Sequence, residues 1–77
     1  MIYFDVHENG AVLRAFRKAY YNDPNVDDNM NIIIQMRQLG ESNNMRVCGE
    51  WLALNWETTG FEFPDEESLT MFLLRWS

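Results

Sequence analysis

Apolar and polar positions recur with two different periods along this chain, and the places where the period changes mark its elements. Met1 to Val6 (MIYFDV) is rich in β-branched and aromatic residues and alternates as a strand does. His7-Glu8-Asn9-Gly10 interrupts it, because Asn-Gly is a strong turn dipeptide. Beyond the turn, Val12, Phe16 and Ala19, or Leu13, Phe16 and Tyr20, fall at helical spacing, which predicts a helix from Ala11 to Tyr21. Arg14, Arg17 and Lys18, three and four residues apart, form the basic solvated stripe of that helix.

The middle of the chain carries mixed signals. Asn22 to Asn29 reads as a loop, with Pro24 preventing the helix from continuing. In Met30 to Gln38 (MNIIIQMRQ), three consecutive isoleucines favour a buried strand, while Asp28 as a cap and Gly40 as a terminator favour a helix. The strand is preferred. After the polar turn Leu39 to Asn44, the segment Met45 to Glu57 reads as a strand whose two halves place opposite parities inward: Val47 and Trp51 in the first, Leu52, Leu54 and Trp56 in the second. A bulge at Gly49 reconciles them, and a helix over Glu50 to Trp56 is the competing solution. Thr58-Thr59-Gly60 then turns the chain into a short strand, Phe61 to Phe63, whose two rings share a face.

The final element is the clearest. Pro64, Asp65, Glu66 and Glu67 supply the fixed backbone angle, the cap and the negative charge that suit a helix start, and Arg75 places positive charge at its end. Leu69, Phe72, Leu73 and Trp76 form the inward stripe, while Met71 and Leu74 widen the apolar surface beyond one face. The order β-α-β-β-β-α defines one α+β domain over residues 1–77, with two helices packed on one face of a small antiparallel sheet.

Charge adds more than composition does. The chain is 47% apolar, far too hydrophobic for a disordered segment, so it is expected to fold. The formal charge of −6 is unevenly spread: from Val47 to Leu74 there are six acids (Glu50, Glu57, Glu62, Asp65, Glu66, Glu67) and no Lys or Arg. Such a field repels nucleic-acid phosphates and anionic lipid, attracts basic protein surfaces, and also keeps a small apolar domain soluble. No apolar run reaches the ~20 residues that cross a bilayer, and no basic region precedes the apolar N-terminus. The single cysteine, Cys48, excludes an intrachain disulfide and fits a reducing compartment, so the expected location is cytoplasmic.

Candidate chemistry is sparse. One His (His7) and one Cys offer no zinc spacing, no serine sits in a nucleophile elbow, and the four glycines are isolated at turns or a bulge. Asp23-x-Asn25-x-Asp27 opens like a calcium loop, but the sixth position is Asp28 where glycine is needed, and the twelfth is Ile34 where glutamate is needed. Arg14, Arg17, Lys18, Tyr20 and Tyr21 are the nearest approach to a basic aromatic patch, and a net negative chain gives them little hold on phosphate. The expectation is a protein without catalytic chemistry, metal or cofactor.

Phe61 to Trp76, closing on Phe72-Leu73-Leu74-Arg75-Trp76, resembles an ending seen in many short tailed-bacteriophage proteins, where an aromatic strand leads through acidic residues into a helix. The resemblance implies a phage-encoded protein that acts in the host cytoplasm and transfers no catalytic residue. The functional expectation is an acidic accessory protein that binds and inhibits a host or defence protein, by way of imitated nucleic-acid charge, with Glu57, Glu62, Asp65, Glu66 and Glu67 set against a basic site. A protein partner is expected, with no direct nucleic-acid or membrane contact. The alternative is a structural or assembly protein, a homodimer among its forms, that self-associates through the excess apolar surface of the C-terminal helix.

Overall fold

The computed structural model describes all 77 residues. Six elements follow in the order β1 (Ile2–Asp5), α1 (Gly10–Asn22), α2 (Ile32–Asn43), β2 (Arg46–Leu52), β3 (Asn55–Phe63) and α3 (Glu66–Arg75). The strands form one antiparallel sheet in the order β1-β3-β2, so the longest strand lies at the centre and both neighbours are edges. This is the α+β class, with three helices where two were expected.

The period-2 pattern of β3 explains where the core sits. Phe61 and Phe63 point to the same side and are fully buried, with Phe4, Val47 and Ile2 beside them in register. Helices cover that side only. From α1 comes the stripe Val12, Ala15 and Ala19, whose small residues let the backbone approach closely, and Phe16 reaches Phe61 at 4.8 Å between ring centroids. From α3, Phe72 meets Phe63 at 5.5 Å, so the C-terminal helix packs as its sequence predicts. Burying each such ring stabilises the fold by up to ~3 kcal/mol.

The expected cap of α3 is present, and Asn9, read from the sequence as a turn residue, caps α1. The Asn9 side chain accepts from the backbone N–H groups of Ala11 and Val12, and Asp65 accepts from that of Ser68 at 2.8 Å. Arg75 lies in the last turn of α3.

The expected strand over Met30 to Gln38 is corrected to the helix α2. Its stop signals lie elsewhere than expected: Asn31 caps the start through Ile34 N–H, and Asn44 ends it in the left-handed conformation at φ 52°. The isoleucine run is not buried, since Ile33 faces solvent, whereas Gln35, Met36, Leu39 and Asn43 form the inward helical stripe. Polar side chains of this helix secure the preceding loop: Gln35 donates to the Asp27 carbonyl and accepts from the Tyr20 hydroxyl, and Gln38 accepts from Asp27 N–H. Gly40 sits inside the helix, where a side chain would strike the Met45 carbonyl.

Met45 to Glu57 is corrected as well, from one bulged strand to a hairpin. Ala53 and Leu54 make the turn, with Ala53 at φ 55°, a conformation that glycine usually supplies. Strand β3 then runs unbroken through Thr58-Thr59-Gly60. The bulge lies opposite the expected place. Cys48 pairs with Gly60 and Gly49 with Thr58, leaving Thr59 as the extra residue, and its carbonyl accepts from Val6 N–H. Gly49 instead accommodates the Trp56 ring, which fills the space that a side chain there would need.

Candidate functional site

With the helices on one side, the other face of the sheet is open, and its residues follow from the register. Ile2, Phe4 and Phe61 point inward, so Tyr3, Asp5, Gly60, Glu62, Arg46 and Cys48 point outward. Beyond the bulge, Glu50 and Glu57 continue that face as directly opposed residues. Four carboxylates, those of Asp5, Glu50, Glu57 and Glu62, therefore share a surface on which Arg46 is the one base in register. Like charges directly opposite across a ladder repel, so Glu50 and Glu57 gain nothing from each other within the fold.

Tyr3 lies across this face and covers Gly60, whose missing side chain leaves room for the phenol. Desolvation, and next a hydrogen bond and charge from Asp5, hold the Tyr3 hydroxyl above its ordinary pKa. Desolvation also raises the Cys48 thiol, with Arg46 pulling it down and Glu62 pushing it up. Cys48 is thus a protonated thiol at neutral pH, and thiols in that form are poor nucleophiles.

The five acids expected to act together separate into two groups. Glu57 and Glu62 belong to the open sheet face. Asp65, Glu66 and Glu67 lie past Pro64 at the start of α3, where Asp65 is occupied as the cap and the two glutamates are exposed in the first turn. Backbone N–H donation from Ser68, followed by its hydroxyl, holds the Asp65 carboxyl below its ordinary range. Asp5 and Glu50 are the members the sequence did not single out: the place of Asp5 beside β3 depends on a pairing between the two ends of the chain, and that of Glu50 on the hairpin register that sets it opposite Glu57.

Past the end of β1, the two-stranded ribbon Gly49 to Thr58 projects alone, and its tip is apolar. Leu54 is 91% exposed and Trp51 50%, with Leu52 beside them. Trp51 and Trp56 meet edge to face at 6.0 Å on the helix side of the ribbon.

Asp23 and Asn25, the opening of the apparent calcium loop, have a different use. The buried Asp23 carboxylate accepts from Asn25 N–H at 2.9 Å, from the Asn25 amide and from the Asn43 amide, and lies 3.7 Å from the Arg75 guanidinium. The Asn43 carbonyl oxygen in turn accepts from Arg75 and from the Trp76 indole N–H. This hub joins the ends of all three helices. Desolvation is the largest influence on Asp23 and raises its pKa, but the donors Asn25, Ser42 and Asn43 with the Arg75 charge outweigh it, so the net shift is downward. No cluster of three or more His, Cys, Asp or Glu side chains is arranged to hold a metal ion. His7 is exposed in the turn after β1.

No family description, curated protein or solved structure matches this chain.

Proposed function

We propose that this chain is a non-catalytic accessory protein of the tailed-phage kind, which binds a host or defence protein and inhibits it through an acidic surface. The observation that carries the proposal is the open sheet face, where Asp5, Glu50, Glu57 and Glu62 stand together against Arg46. An uncovered sheet face is a preformed backbone surface, so that binding there orders side chains only. Glu57 and Glu62 are separated by about 16 Å along β3 at ~3.3 Å per residue, long enough to lie along a groove built for a phosphate backbone. A basic groove of that kind is the partner chemistry that fits. Glu66 and Glu67 add negative charge in the first turn of α3, apart from the sheet face, while Asp65 serves the helix as its cap. The phage assignment rests on the resemblance at the C-terminus, and the cytoplasmic setting on the unpaired Cys48.

Comparative capture from bacterial lysate tests the proposal, with the parent and the Glu57→Lys, Glu62→Lys double variant as baits. The proposal expects a protein with a basic ligand groove to be retained by the parent, lost by the variant, released by salt, and inhibited in its own activity by the parent. Equal retention by both baits would refute the role of the acidic face.

Self-association is the second reading, favoured by the apolar surface that the fold leaves uncovered. Met71 and Leu74 on α3 are 61% and 71% exposed, and the ribbon tip adds Leu52 and Leu54.

A further inference from the structure

Strand β2 is an edge whose only protection is the charge of Arg46 and Glu50. It is seven residues long and contains neither Pro nor Lys, and the bulge that could bend it away lies in β3. A two-residue turn is closed by a hydrogen-bonded pair, here Leu52 and Asn55. Alternation along the ladder then directs the backbone groups of Glu50, Cys48 and Arg46 toward β3, and those of Trp51, Gly49 and Val47 toward the free edge. No backbone bond from another part of the chain reaches that edge.

The side chains along it are self-complementary. Arg46, Cys48 and Glu50 occupy successive outward positions, with opposite charges equally spaced about the cysteine. On the helix side, a groove of about 540 Å³ runs between α2 and the ribbon, with Ile33, Met36, Met45, Val47 and Trp56 as its apolar lining. The exposed ring of Trp51 lies on that same side of the strand, at the other end of it.

We infer that β2 pairs with β2 of a second copy of this chain, antiparallel about a two-fold axis at Cys48, to make one continuous six-stranded sheet from two three-stranded ones. In this register Arg46 lies opposite the partner subunit's Glu50, Val47 opposite the partner subunit's Gly49, and Cys48 opposite the partner subunit's Cys48. Free N–H and C=O groups of Val47 and Gly49 then bond across the axis. The partner subunit's Trp51 falls opposite Met45, at the groove, which takes the ring out of water. Each Glu50, opposed within its own chain by Glu57, gains the cation that its own chain does not give it. The arrangement is isologous and closed, so it stops at two copies. It leaves the acidic face open and doubles it, but it does not depend on what that face binds.

Sedimentation velocity from micromolar to about millimolar protein tests the inference. Glu50→Arg is the discriminating variant: within one chain it replaces a repulsive pair with Glu57 by an attractive one, while across the axis it sets Arg against Arg46 twice. Dimerisation is therefore expected to weaken about 30-fold, at ~1 kcal/mol for each of the two reversed pairs, while the melting temperature of the monomer holds or rises. Arg46→Glu combined with Glu50→Arg restores the cross-axis pairs and is expected to recover the dimer. With oxidised glutathione taking up the two electrons and two protons, the dimer is expected to form a Cys48–Cys48 disulfide, because cross-strand neighbours lie within disulfide reach at ~4.5 Å between Cα atoms. A chain that stays monomeric throughout, a Glu50→Arg variant that dimerises as tightly as the parent, or a dimer that resists Cys48 cross-linking would each overturn the inference.

Discussion

Replacing Asp23 by Asn tests whether the buried hub holds the three helix ends together. The substitution keeps the shape and removes the charge. In the parent, one carboxylate oxygen accepts from the backbone and side chain of Asn25 and the other from Asn43, while Arg75 supplies the countercharge. An amide can offer only one acceptor there and must turn its NH2 group toward a donor. Breaking a fully buried pair costs about 3 to 5 kcal/mol, but Arg75 is 42% exposed and can turn to water, which lowers the expected loss to about 2 to 4 kcal/mol. A chain of 77 residues has a total stability of roughly 4 to 12 kcal/mol, so the loss is a large share of it. The carboxyl also makes the effect depend on pH. Its folded pKa lies below the ordinary 3.8, so the unfolded chain takes up the proton first as pH falls. The stabilisation is complete well above pH 3.8 and is lost as pH drops through the folded value. Urea unfolding followed by circular dichroism at pH 7 and at acid pH measures both terms. A variant that unfolds with the parent at pH 7, or a difference that does not shrink in acid, would refute the role given to the hub.

Three further outcomes are expected. Phe72→Ala empties the space over Phe63 and is expected to cost about 3 to 5 kcal/mol, read from the same urea transitions. Ala53→Gly relieves the positive φ at the hairpin turn and is expected to stabilise the fold by about 1 kcal/mol, the left-handed strain less the added entropy of glycine; a loss would mean that the turn is not strained. Asp65→Ala removes the cap of α3 and is expected to lower the melting temperature at neutral pH. Because the Asp65 carboxyl is held below its ordinary value, that difference is expected to narrow as pH falls through its folded pKa.

The outer parts of this fold are legible in the sequence because their signals are local. Asp65 and Arg75 bracket α3, the alternation of Phe61 and Phe63 gives the core face of β3, and the spacing of Val12, Phe16 and Ala19 gives α1. The middle third is less legible, because a local preference there yields to tertiary contacts. Ile32, Ile33 and Ile34 favour a strand, but Asn31 and Asn44 cap the segment, and Gln35, Gln38 and Asn43 bond the preceding loop and the hub only from helical spacing. The hairpin turn carries no Gly or Asn at its centre, so Ala53-Leu54 gives no turn signal, and the bulge falls on Thr59 where Gly49 looked the better candidate. Half of the candidate site was legible. Glu57 and Glu62 stand out by charge, but Asp5 joins them only through the pairing of β1 with β3, Glu50 only through the hairpin register opposite Glu57, and Asp65 leaves them because capping fixes it at the helix end.

Recognition of a basic partner by the open acidic face is read from the association rate against ionic strength. With a captured partner in hand, stopped-flow association is measured for the parent and for the Glu57→Lys, Glu62→Lys variant between low and physiological salt. The parent rate is expected to fall steeply as salt rises, and the variant to associate slowly with a flat salt response. Equal rates for the two proteins, with neither responding to salt, would contradict that recognition and leave the apolar surfaces as the means of association.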